Sequence, residues 1–111
     1  MILNLTSQKN GDILNLTSQK NGDELTVFLS GKVDTSTAPE LSDRLKRELD
    51  GVKTLTLDFA ECDFVSSAGL RVLLNTFKQM KAKNGTMNLV NVGEYLMEVL
   101  HDTGLDAVFG M

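Results

Sequence analysis

The sequence predicts an α/β fold: a mixed sheet of four to five strands covered by helices, in the order β-β-α-β-α-β-α, with an extra β-like segment in front. Three observations predict it. Apolar residues alternate in short runs before residue 30 and again over residues 52–59, which is the period of half-buried strands. Between and after those runs the apolar spacing becomes three and four residues, that of helices buried on one side. Strands that alternate with helices need crossovers, and these make the sheet largely parallel beneath a helical layer.

The first strand has two candidates. Residues 2–12 read ILNLTSQKNGD and residues 13–23 repeat them letter for letter. Solenoid units are longer, diverge between copies and need at least three members, so this is a duplicated element and not a repeat architecture. Leu3 and Leu5, then Leu14 and Leu16, alternate as in a strand. Asn10-Gly11 and Asn21-Gly22 are hairpin-turn signals, since both residue types tolerate positive φ. The domain needs one such strand. Using residues 13–23 leaves the rest as a free tail, whereas using residues 2–12 forces an eleven-residue loop with a closure cost. The second copy is therefore expected in the sheet, with residues 1–12 as a tail or extra strand and residues 13–111 as the domain. Eleven is odd, so sliding along one continuous strand would reverse the faces. The spare copy then either folds back as a hairpin partner or pairs with a neighbouring molecule's edge to give a homodimer. Identity between the copies points to a recent or engineered duplication.

The remaining elements follow in order. Leu25, Val27 and Leu29 share one strand face, with Thr26, Phe28 and Ser30 on the other. Thr37-Ala38-Pro39-Glu40 has the form of a capping box with Pro in the first turn, and Leu41, Leu45 and Leu49 continue a first helix to Asp50-Gly51. Val52 to Phe59 alternates as the next strand. From Ser67 the stripe Leu70, Leu73, Leu74, Phe77 and Met80 marks a second helix ending at Asn84-Gly85. Met87 to Val92 reads as a strand. Leu96, Met97, Val99 and Leu100 begin a third helix with Gly104 as C-cap. Leu105, Val108 and Phe109 are expected to pack a last turn onto the core.

Composition narrows the function. Hydrophobic residues at 41% and charged residues at 23% suit a soluble globular chain. Eleven Lys and Arg against 15 Asp and Glu give a net charge of −4, which disfavours nonspecific nucleic-acid binding. Lys78, Lys81 and Lys83 are read as a solvated helix C-terminus. One cysteine, Cys62, and one histidine, His101, offer no internal disulfide and little for a transition metal; Cys62 reads as a buried filler. The sequence has no apolar run near the roughly eighteen residues of a membrane helix. Met1-Ile2-Leu3-Asn4 lacks a signal-peptide pattern, so a cytoplasmic address with no membrane partner is expected.

The chemistry concentrates in Phe64-Val65-Ser66-Ser67-Ala68-Gly69-Leu70, which joins a strand to the second helix. A hydroxyl there lies beside unpaired amides and the positive end of the helix, where negative charge is accepted. The simpler role for Ser66 or Ser67 is an N-cap, worth about 1 kcal/mol. A nucleophilic enzyme needs a base beside the serine, and His101 lies in a different helix. The chain also lacks a Gly-x-Ser-x-Gly elbow and a phosphate-cradling Gly-x-x-x-x-Gly-Lys loop. Asp58 and Asp63, expected to flank the strand end, are a commonplace pair. Neither an enzyme nor a cofactor is expected.

Three stretches resemble a known family: Gly31-Lys32-Val33-Asp34 followed by Ala38-Pro39-Glu40-Leu41; Leu55-Thr56-Leu57-Asp58-Phe59; and Phe64 to Leu74. The chain is similar to STAS domains, specifically to stand-alone bacterial anti-sigma factor antagonists, from about Leu14 to the C-terminus. The most specific part is the Ser-Ser-Ala-Gly-Leu turn. The resemblance implies partner switching. The unmodified antagonist would bind an anti-sigma factor that is a GHKL-type serine kinase, and phosphorylation on Ser67 would prevent binding. A PP2C-type phosphatase would reset it. Ser66 stands where the family commonly has Asp, which makes Ser66 the alternative acceptor. The expected partner surface comprises Asp34, Thr35 and Ser36 with Ser66, Ser67, Ala68, Gly69 and Arg71. The alternative reading within the family is an interaction module of a stressosome or a transporter accessory complex.

Overall fold

The computed structural model describes residues 14–111. The expectations for residues 2–12, as tail, hairpin partner or dimer strand, lie outside the described residues. The chain forms β1 (Leu14–Asn21), β2 (Glu24–Val33), α1 (Ala38–Glu48), β3 (Thr54–Val65), α2 (Ser67–Ala82), β4 (Thr86–Val90), α3 (Glu94–Thr103) and a single turn, α4 (Leu105–Val108). The sheet order is β1-β2-β3-β4. β1 and β2 run antiparallel, while β2–β3 and β3–β4 are parallel, as crossovers through α1 and α2 require. β1 is drawn from the second copy of the repeat. Its hairpin closes at Asn21↔Glu24, one residue later than an Asn-Gly loop would, with Gly22 at φ +65° as the first loop residue. Glycine there is what a type II′ turn asks for.

Leu25, Val27, Leu29 and Val33 of β2 lie at 0–2% exposure and face the helices. Leu55 and Leu57 of β3, Leu41 and Leu45 of α1, Leu70, Leu73 and Met80 of α2, and Leu96 and Leu100 of α3 join them in one cluster. The opposite sheet face carries Thr26, Phe28, Thr54 and Thr56, all partly exposed. The alternation of period two therefore sorts one face into the core and leaves the other against water.

β3 is longer than its alternation implies. It continues from Phe59 to Val65, and its pairing with β2 slips between Phe28↔Asp58 and Ser30↔Glu61 and again between Gly31↔Cys62 and Lys32↔Phe64. Each slip places one extra residue on β3, so the buried positions run Leu57, Phe59, Cys62, Val65 while β2 alternates without a break. The expected end at Phe59 is corrected accordingly: two bulges hide the continuing strand from a period-two reading. Asp58 and Asp63 consequently lie within the strand.

Other differences are local. β4 stops at Val90 because Asn91 turns to φ +55° and donates its amide to Asp58 at 3.1 Å. α3 begins two residues earlier than Leu96, after Gly93. At the C-terminus Phe109 is buried and meets Phe77 edge-on at 5.3 Å, but Val108, expected against the core, is 45% exposed. Gly104 adopts the left-handed cap conformation expected of it. Lys78, Lys81 and Lys83 are exposed as expected of a solvated helix end, with Lys81 over Phe77 of the same helix and Lys83 reaching the Leu49 carbonyl at 2.6 Å.

Candidate functional site

β2 and β3 are parallel, so their C-terminal ends, and the loops leaving them, open on the same edge of the sheet. The Ser66 amide donates to the Val33 carbonyl at 2.7 Å, which ties the two loops at their roots. Gly69 explains how they come so close. A Cβ on it would stand 2.6 Å from Val65 Cγ1 and 2.7 Å from Val33 Cγ1. The residue is buried under the first turn of α2. It sets the distance between helix and strands and offers no surface of its own, whereas the sequence places it on the open turn.

The two serines divide the work. Ser66 is the N-cap of α2, with extended backbone at φ −80° and ψ 177°, and its hydroxyl accepts from the Gly69 amide at 3.4 Å. Ser67 is the first helical residue and is exposed. Ala68 packs partly against the core, Leu70 enters it, and Arg71 is exposed one turn after Ser67.

The other loop is held from within. Asp34 Oδ1 accepts from the Ser36 amide at 2.9 Å, the Ser36 hydroxyl at 2.7 Å and the Thr37 amide at 3.1 Å. The Ser36 hydroxyl is foremost among the groups that hold the Asp34 carboxyl below its ordinary value; partial burial opposes it, and the Thr37 and Ser36 amides add to it. Thr37 is 2% exposed. Its hydroxyl donates to the Lys32 carbonyl at 2.8 Å and accepts from the Asp34 amide at 2.8 Å, so it makes no cap bond to the helix. The capping box read at Thr37-Ala38-Pro39-Glu40 is therefore corrected. The Asp34 carboxylate instead serves the Ser36 and Thr37 amides just before α1, the Ala38 amide donates to the Asp34 carbonyl, and the Glu40 and Leu41 amides donate to the Thr37 carbonyl. Thr35 and Ser36 remain exposed at the tip.

A third component was not anticipated. Phe64, at the end of β3, stacks on Tyr95 of α3 with ring centroids 6.1 Å apart and planes 18° apart. Lys32 stands 5.7 Å from the Phe64 centroid and 3.9 Å from Asp63. Tyr95 is half exposed. Alternation over Met87 to Val92 gave no sign that α3 would start beside β3, so nothing joined Tyr95 to Phe64. The remaining candidate groups lie elsewhere. Burial, first, pushes the Cys62 thiol up, as suits a filler in the sheet. His101 Nδ1 lies 2.9 Å from Asp106 Oδ2, across the α3–α4 junction. Among the described residues no group of three His, Cys, Asp or Glu is placed to hold a metal ion, and no helix is long and apolar enough to cross a membrane.

The two loops thus set the exposed Ser67 hydroxyl, on the first turn of α2, beside a hydrogen-bonded loop at the same sheet edge. The family model described as STAS domain matches residues 15–111. The chain is a STAS domain. Its relatives are antagonists by name. It is 29% identical over 82 residues to the anti-sigma-B factor antagonist of Bacillus subtilis, covering 74% of this chain and 75% of that one. BtrV of Bordetella bronchiseptica, provisionally an anti-sigma factor antagonist, is 33% identical over 86 residues, covering 77% and 74%. Among solved structures, an anti-sigma factor antagonist from Mycobacterium paratuberculosis superposes with a TM-score of 0.78 at 25% identity, over 96% of this chain and 87% of that one. SpoIIAA in its unphosphorylated form shares the fold, with a TM-score of 0.71 at 16% identity over 89% and 98%. Proteins so named are regulators and not enzymes.

Proposed function

We propose that this STAS domain, residues 13–111, is an anti-sigma factor antagonist. In this reading the unmodified domain binds an anti-sigma factor of the GHKL-type serine kinase class in the cytoplasm. That binding frees a sigma factor and so controls transcription. The observation that carries the proposal is the division between the serines: Ser66 is spent on the cap, while Ser67 stands exposed on the next residue. The acceptor is accordingly Ser67, with Ser66 disfavoured by its bond to the Gly69 amide. Phosphoryl transfer forms the bond from Ser67 Oγ to the γ-phosphorus of ATP held by the kinase. The bond to the β,γ-bridging oxygen breaks, ADP leaves, and the hydroxyl proton passes to a base on the kinase. A PP2C-type phosphatase hydrolyses the ester and resets the domain.

The docking surface runs from Asp34, Thr35 and Ser36 to Ser66, Ser67, Ala68 and Arg71, with Gly69 beneath it as the spacer. Adding about −1.5 to −2 charges at the first turn is tolerated by the fold, because a helix N-terminus favours anions. The same charge pressed against an apolar or acidic partner surface is costly, so one local change releases the complex without unfolding the domain. SpoIIAA, of the same fold, exists in both unphosphorylated and phosphorylated forms, and that supports the reading. Intact-mass measurement after incubation with candidate anti-sigma kinases and ATP tests it. A single added phosphate mapping to Ser67 is expected; modification elsewhere, or none with every cognate kinase, overturns it.

A further inference from the structure

Phosphorylation at Ser67, which this inference takes from the proposal above, sets a dianion on the outer side of the first turn of α2. Arg71 follows four residues later on the same helix. Residues at that spacing are neighbours, with Cβ atoms about 5–6 Å apart. Both side chains are exposed, so neither must leave the core to meet the other. Among the described residues no carboxylate lies within ion-pair distance of Arg71. The other cation on this edge, Lys32, is already engaged by Asp63 and the Phe64 ring. The first turn of α2 carries no acidic residue to compete for Arg71.

We propose that Arg71 is the internal partner of the Ser67 phosphoryl group. A guanidinium presents paired N–H donors in a planar fork that matches two phosphate oxygens, which an ammonium cannot reproduce. The off state then has two parts. Phosphorylation adds negative charge to the docking surface, and it also draws the Arg71 cation away from the partner. A carboxylate at position 67 carries less charge and fewer acceptors than a phosphate. It supplies mainly the first part, so Ser67→Glu releases the partner less completely than phosphoserine does.

The test needs no kinase. Phosphoserine is placed at position 67 during translation, and the phosphate is titrated by phosphorus NMR in the parent chain, in Arg71→Gln and in Arg71→Lys. Phosphoserine ordinarily has a second pKa of about 6. The parent is expected to titrate about 0.3 pH units or more below Arg71→Gln, with Arg71→Lys in between. Equal values in the parent and Arg71→Gln would overturn the pairing. Matched melting curves of the three unmodified chains exclude a folding change as the source of any difference. The two ideas fail separately: a kinase that ignores Ser67 sinks the switch but leaves this titration intact, and equal phosphate pKa values sink the pairing but leave the switch.

Discussion

The loops that follow β2 and β3 leave neighbouring parallel strands at one sheet edge, yet they are built in opposite ways. The Asp34–Thr37 loop turns its polar groups inward: Thr37 is buried, and one carboxylate oxygen of Asp34 gathers two amides and a hydroxyl. The Ser66–Gly69 turn spends only Ser66 on itself and leaves Ser67 outside. The difference teaches how a modification can be local. One loop is a fixed wall, the other carries the group that changes, and the Ser66–Val33 hydrogen bond with the Gly69 contact keeps them in register.

The strongest way to break that pairing is to push the loops apart. Gly69→Val adds atoms where two β-branched side chains already stand at 2.6 and 2.7 Å from the ideal Cβ, and such stiff neighbours yield little. A loss of about 2–3 kcal/mol in urea unfolding is expected, together with loss of partner binding. Thr37→Val comes next. It keeps the shape but strands the Lys32 carbonyl and the Asp34 amide, and should cost about 1–2 kcal/mol. Ser66→Ala removes only a cap and should cost about 1 kcal/mol. Ser67→Ala sharpens the contrast by its silence in stability: less than about 0.5 kcal/mol, with binding retained.

The smallest effects are those of pH, and they have opposite signs. Asp34 has a lowered folded pKa, so its contribution is present above the unfolded value of 3.8 and fades as pH falls through the folded one. Asp34→Asn should flatten stability in that acid range. His101 has a raised folded pKa, caused first by its hydrogen bond to Asp106. Its contribution is complete below the unfolded value of 6.5 and is lost as pH rises through the folded one. Melting temperatures of His101→Gln and the parent should therefore differ more at pH 5.5 than at pH 8.5, by a small, salt-sensitive amount since the pair is exposed.

Much of this was legible in the residues, and the failures have physical causes. β2 was readable because its alternation never breaks: Leu25, Val27 and Leu29 all lie in the core. β3 was readable only to Phe59, since the first bulge puts Cys62 out of phase with Leu55, Leu57 and Phe59 and the second restores the phase only at Val65. The Ser66-Ser67 turn was placed correctly, but the residues alone left the cap and the exposed hydroxyl undivided. Thr37 misled because a threonine before Ala-Pro-Glu suits a cap, and no local pattern reports that its hydroxyl turns back to Lys32. The Phe64–Tyr95 stack and the His101–Asp106 pair each join two elements, so only the tertiary fold could bring them together.

The central claim is that the unmodified edge docks on the anti-sigma kinase and that phosphorylation of Ser67 releases it. Calorimetric titration of the kinase with the Ser67→Ala chain and with the chain bearing phosphoserine at 67 measures this directly. The account predicts that Ser67→Ala binds as the parent does and that the phosphorylated chain binds at least about 100-fold more weakly, a difference of roughly 2.7 kcal/mol. Equal affinities for the two chains would contradict it.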